Sequence, residues 1–135
     1  MKNKSYLAID WGEQHWGIAW GNRHMAEPVT TLSQSSFAAR LAGLRRLIEQ
    51  YQPDKVILGV SSTKQQKLLD QQKQLIDALV NQLDVDVELW QEDYSTRRAF
   101  YLAQQAGRKP ARLGNKIHSL SAAVILQDYL EQTQE

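Results

Sequence analysis

Tyr6-Leu7-Ala8-Ile9-Asp10 and Trp16-Gly17-Ile18-Ala19-Trp20 are two short apolar runs, joined by Trp11-Gly12-Glu13-Gln14-His15. Runs of this length around a glycine-containing turn read as a strand, a turn and a second strand. A third strand is expected over 24–29, because Gly21-Asn22 supplies turn chemistry and Pro28 belongs on a sheet edge or at a strand end. The chain therefore opens as an antiparallel unit.

From Ser36 the period becomes helical. Phe37, Leu41, Leu44, Ile48 and Tyr51 recur at steps of three and four, Ser36 is available as N-cap and Pro53 closes the element. Lys55-Val56-Ile57-Leu58-Gly59-Val60 is the almost wholly apolar, β-branched kind of run that parallel sheets bury. A Gln-rich helix follows, with Leu68, Leu75, Ile76, Leu79 and Leu83 on one side. Residues 85–90 alternate as a strand, 95–106 read as a helix, and 117–130 read as a last helix introduced by Gly114-Asn115. The order predicts an α/β fold: a mixed five-stranded sheet, an antiparallel hairpin plus parallel strands, with helices on both faces.

The chain has 135 residues, 42% hydrophobic and 23% charged, which suits a single domain over 1–135 without a linker or repeat. Sixteen Lys and Arg against fifteen Asp and Glu leave a net charge of +1, so a nucleic-acid site has to be a local patch. The absence of cysteine excludes thiolate nucleophiles, disulfides and Cys-based metal sites, and suits a reducing cytoplasm. No apolar run approaches a membrane span, and the N-terminus has no signal-peptide core, so a cytoplasmic, uncleaved protein without a membrane partner is expected.

In sheets of this kind chemistry collects at strand ends. Asp10 ends the first strand, with Gly12 and Gly17 nearby to admit a phosphate or metal close to the backbone; the bland alternative is a turn-forming Asp at a hairpin mouth. Glu92 and Asp93 follow the strand at 85–90, where they could equally favour a helix N-terminus. If that strand neighbours the first, two carboxylates converge, and a hard divalent ion between them offsets their repulsion. Arg97, Arg98, Arg108, Lys109, Arg112 and Lys116 come after Asp93 with no acidic residue before Asp128, a basic stretch of the type that tracks a phosphate backbone or simply stays solvated. His118 sits in the first turn of the last helix, where the neutral ring is favoured. His15 and His24 have no assignable partner and read as surface or hairpin residues.

Four segments, in order and at compatible spacing across essentially the whole chain, resemble the YqgF family of pre-16S rRNA nucleases and RuvC-like Holliday junction resolvases. They are Leu7-Ala8-Ile9-Asp10-Trp11-Gly12 with Gly17-Ile18-Ala19, Pro53-Asp54-Lys55-Val56-Ile57-Leu58-Gly59, Glu92-Asp93-Tyr94-Ser95-Thr96, and 116–127 beginning Lys116-Ile117-His118. The resemblance implies a ribonuclease H-like fold that holds divalent metal, Mg²⁺ or Mn²⁺, for phosphodiester hydrolysis. It matches Asp10 and Glu92 to the family's first two acidic positions and puts His118 where the third is usually Asp. Two further departures are the loop from Gly59 through Ser61-Ser62-Thr63-Lys64, in place of a Gly-Leu-Pro stretch, and Gln91 and Asp93 around Glu92. The implied partners are structured nucleic acid, pre-rRNA or branched DNA, and the ribosome, bound by a monomer or weak homodimer. A member that binds nucleic acid without cleaving it is the first alternative; the second is half of an actin-like sugar kinase or ATPase, for which 135 residues leave no room for the second lobe and which a nucleotide-binding assay without signal would close.

Overall fold

Alternation and hairpin chemistry at the N-terminus produce three antiparallel strands in the computed structural model, which describes residues 4–60, 65–91 and 116–133: β1 (Ser5–Asp10), β2 (Trp16–Asn22) and β3 (Met25–Leu32). The third strand is longer than expected and starts one residue later. Pro28 lies inside it, opposite Ala19, next to a register shift at Ile18/Ala19. A proline is tolerated there because β3 is an edge strand and the irregularity relieves it of a ladder hydrogen bond.

Helix α1 (Phe37–Tyr51) starts where expected, with the Ser36 side chain accepting from the Ala39 amide. It ends on Gln52 in the left-handed region, just before Pro53. Next come β4 (Lys55–Val60) and α2 (Gln66–Asp77), which runs into a π-helical turn, Ala78–Gln82. The wider turn lets neighbouring Ala78 and Leu79 both be buried. Strand β5 is Val87–Gln91, shifted later than the expected 85–90, and α3 is Lys116–Thr133. The helix expected over 95–106 lies outside the described residues.

The sheet order is β3-β2-β1-β4-β5, with β1, β4 and β5 parallel. Strand alternation sorts the core into two layers. Leu7, Ile9, Trp16, Ile18, Val56 and Leu58 pack against Leu44 of α1 and Leu75 of α2, together with Leu79. Tyr6, Ala8, Ala19 and Ile57 pack against Ala122, Ile125, Leu126 and Tyr129 of α3. Helices thus cover both faces of a mixed five-stranded sheet, as the element order requires.

Candidate active site

Asp10 is the last residue of β1. Its neighbours across the sheet are Gly17 of β2 and Gly59 of β4, and Gly59 in turn pairs with Trp90 of β5. The first and last strands are therefore not neighbours, contrary to the arrangement under which Asp10 and Glu92 would converge by adjacency. One strand, β4, separates them, and at about 4.8 Å per strand that sets β1 and β5 roughly 10 Å apart. They do end at the same edge of the sheet. Glu92 and Asp93 themselves lie outside the described residues, as do Arg97, Arg98, Arg108, Lys109 and Arg112.

Because Tyr6 and Ala8 face α3, alternation places Asp10 on the α3 side as well. Helix α3 comes close here for a specific reason: a Cβ on Gly17 would overlap the His118 carbonyl, so a residue without a side chain is required beneath the first turn of the helix. The same helix crosses Gly59, where a Cβ would overlap the end of Ile125. Burial at this junction pushes the Asp10 carboxyl up to about 7. Desolvation alone accounts for the shift, and among the described residues no hydrogen bond or cation offsets it. A turn-forming Asp would instead accept bonds from the loop it organises; Asp10 is a strand-end carboxylate without a compensating charge among the described residues.

His118 is half-buried in the first turn of α3, two residues after Lys116, which is exposed. Its imidazole stacks on that of His15, with centroids 4.9 Å apart and planes inclined by 16°. Burial, then the charge of His15, lowers the pKa of His118, so the ring is neutral near pH 7 and able to accept a proton or bind a metal. His15 is thus corrected from a residue without a partner to one that stacks on His118, and its Nδ1 lies 2.8 Å from Ser33 Oγ. Nothing in the sequence joins positions 15 and 118; only the docking of α3 on Gly17 brings them together. His24 lies in the β2–β3 turn, where its amide donates to Asn22 Oδ1, in keeping with a hairpin residue. Among the described residues no three His, Cys, Asp or Glu side chains are grouped to hold a metal. No helix among the described residues is long and apolar enough to cross a membrane.

The geometry can be set beside known proteins. A family model described as RuvX, Holliday junction resolvase, matches residues 4–132. The chain belongs to the RuvX family. A protein of Chloroflexus aggregans named "Putative pre-16S rRNA nuclease" is 28% identical to this RuvX chain over 97% of the chain and 96% of the relative. One of the same name from Escherichia coli strain SE11 is 30% identical over 93% and 95%. Among solved structures, Thermus thermophilus RuvC in complex with a Holliday junction substrate aligns with a TM-score of 0.62 at 16% identity, covering 96% of each chain. The Fowlpox virus resolvase with its junction DNA aligns at 0.61 and 12%, over 97% and 99%. These structural likenesses fix the fold of the RuvX chain as that of the RuvC-type resolvases, the ribonuclease H-like architecture, and its relatives make it a nuclease-family protein.

Proposed function

We propose that this RuvX-family chain hydrolyses phosphodiester bonds in structured nucleic acid, with Asp10 and Glu92 holding a divalent cation and His118 serving as third ligand or proton shuttle. The observation that carries this reading is the partly buried carboxylate of Asp10, without a counter-charge among the described residues, at the strand end where Gly17 meets the helix turn that bears His118. A carboxylate so placed fits a hard cation, which would hold it ionised at a pH where burial alone would not. On β5, Glu88 and Trp90 reach toward Tyr129 of α3, the helix on the side of the sheet that Asp10 also faces.

When bound, the cation supplies Lewis-acid polarisation of the scissile phosphate and a lowered pKa for an attacking water. The chain's own groups do the rest. Asp10 and Glu92 would fix its position, and the neutral His118 ring, stacked on His15, would bind it through nitrogen or take up a proton. Nitrogen suits Mn²⁺ better than Mg²⁺, so Mn²⁺ is the preferred ion. Arg97, Arg98, Arg108, Lys109, Arg112 and Lys116 hold the phosphate backbone without reading sequence.

The names of the relatives favour the end of pre-16S rRNA as substrate, in ribosome biogenesis in the cytoplasm, and the titles of the structural neighbours keep branched DNA as the second substrate class. A chain that binds nucleic acid without cleaving it is the second reading, favoured by the histidine in place of a third carboxylate. Calorimetric titration of Mn²⁺ into the chain tests the site directly. Binding is expected in the native protein and weakened at least tenfold in Asp10→Asn and in Glu92→Gln; unchanged binding in both variants would remove the metal site.

A further inference from the structure

The ladder between β2 and β3 ends at the pair Trp16 and Leu32, and the next residue on each strand is His15 and Ser33. Their side chains continue the pairing, with His15 Nδ1 2.8 Å from Ser33 Oγ. The backbone on both sides is tied down. Trp16 is 1% exposed and Leu32 6%, and the buried guanidinium of Arg40 donates to the carbonyls of Gln34 at 2.6 Å and Glu13 at 3.3 Å. A Cβ on Gly12 would lie 2.9 Å from the His15 carbonyl oxygen, so the loop that leaves Asp10 folds directly onto His15. His15 is thus a fixed point at the end of the sheet.

Gly17 follows two positions later, and there the His118 main chain comes to rest. Helix α3 therefore meets this end of β2 twice through one residue: His118 sets its backbone on Gly17 and its ring on His15, with centroids 4.9 Å apart and planes inclined by 16°. An imidazole that binds an ion or moves a proton ordinarily has its direction set by a hydrogen bond to its second nitrogen. Among the described residues no such bond reaches the His118 ring, and the ring face of His15 is what restrains its rotation. A stacked ring pair is worth roughly two- to tenfold in the population of the stacked arrangement.

We propose that His15 is a positioning residue for the hydrolysis proposed above: its ring, held by Ser33 and by the anchored loop, confines His118 to the orientation in which it works. The inference rests on the reading of His118 as third ligand or proton shuttle. His15 touches neither ion nor substrate in it and acts only through the stack.

Two substitutions separate the ring from the hydrogen bond. His15→Phe keeps a stacking face and loses the bond to Ser33, whereas His15→Asn keeps a polar group for Ser33 and loses the ring. Melting midpoints check that both fold. The full chain has three histidines, so its imidazole Cε1–Hε1 spectrum holds three signals, and His118→Ala identifies one of them. In chelator at one fixed pH, the facing ring is expected to displace the His118 signal in the native chain and in His15→Phe. In His15→Asn that signal should return toward the position of a free histidine. Cleavage of a structured RNA or a four-way DNA junction in Mn²⁺ gives the second readout. KM should hold in both variants, while kcat falls about two- to tenfold in His15→Asn and stays within about twofold of native in His15→Phe. A native chain that cleaves, with a His15→Asn variant matching it in kcat or in the His118 signal, would overturn the positioning role alone. So would a His15→Phe variant as impaired in kcat as His15→Asn. A native chain that cleaves neither substrate in either Mn²⁺ or Mg²⁺ would overturn the hydrolysis reading and this role with it, whatever the ring signals show.

Discussion

At the scale of the residue, Asp10 shows what desolvation does to a carboxyl that has no counter-charge among the described residues. Its ordinary value of 3.8 becomes about 7. A carboxyl whose pKa is higher in the folded than in the unfolded state contributes stability below the unfolded value and loses it as pH rises through the folded one. The metal-free chain should therefore weaken between about pH 4 and pH 7, and Asp10→Asn, which cannot ionise, should escape that loss. Urea unfolding in chelator is expected to find the two proteins alike near pH 4 and the variant more stable by roughly 2–4 kcal/mol near pH 8. His118 makes the complementary case. Burial and the charge of the stacked His15 keep it neutral, and at the proposed cation site a neutral imidazole in place of a carboxylate would shift the ion preference. His118→Asp should move the ratio of Mn²⁺- to Mg²⁺-supported cleavage toward Mg²⁺ at least several-fold; an unchanged ratio would place His118 outside the ion's reach.

At the scale of the element, α3 brings His118 to the end of β1, and two glycines decide how close the helix comes. A methyl on Gly17 meets the His118 backbone, which cannot yield without moving the helix, whereas one on Gly59 meets the flexible end of Ile125. Gly17→Ala should cost about 3 kcal/mol or more and Gly59→Ala about 1–2 kcal/mol, read as shifts in the urea midpoint. Equal losses would mean that α3 does not rest on β2 at this point. The elements themselves were largely legible in the sequence. Ser36 and Pro53 bracket α1, and the apolar run of β4 is buried from Val56 to Gly59. Less legible were the length of β3, because a proline within an edge strand reads as its end, and the π-helical turn, because one wider turn leaves the helical period of Leu75 and Leu79 almost unchanged. The stacking of His15 on His118 had no sequence signal, since it follows from the docking of an element a hundred positions away.

At the scale of the molecule, the sheet order sets which groups share an edge. The ends of β1, β4 and β5 are aligned by parallel pairing, so Asp10 and Gln91 lie toward one edge of the sheet with β4 between their strands. Sequence reasoning could nominate both carboxylates from their places after strands; it could not supply the intervening strand, because order in a sheet is a property of the crossovers. With a near-neutral net charge of +1, the nucleic-acid binding proposed above would fall to the basic stretch. Each of its contacts to a duplex phosphate should contribute about −0.9 to the slope of log K against log salt, so Arg108→Glu with Lys109→Glu should flatten the slope by about 2. The most direct measurement is cleavage of a labelled structured RNA and of a four-way DNA junction, in Mn²⁺ and in Mg²⁺, by the native chain and by Asp10→Asn. Metal-dependent cleavage of at least one substrate, reduced a hundredfold or more in the variant, is the expected result; tight binding with no cleavage in either ion, or cleavage undiminished by Asp10→Asn, would contradict a nuclease centred on Asp10.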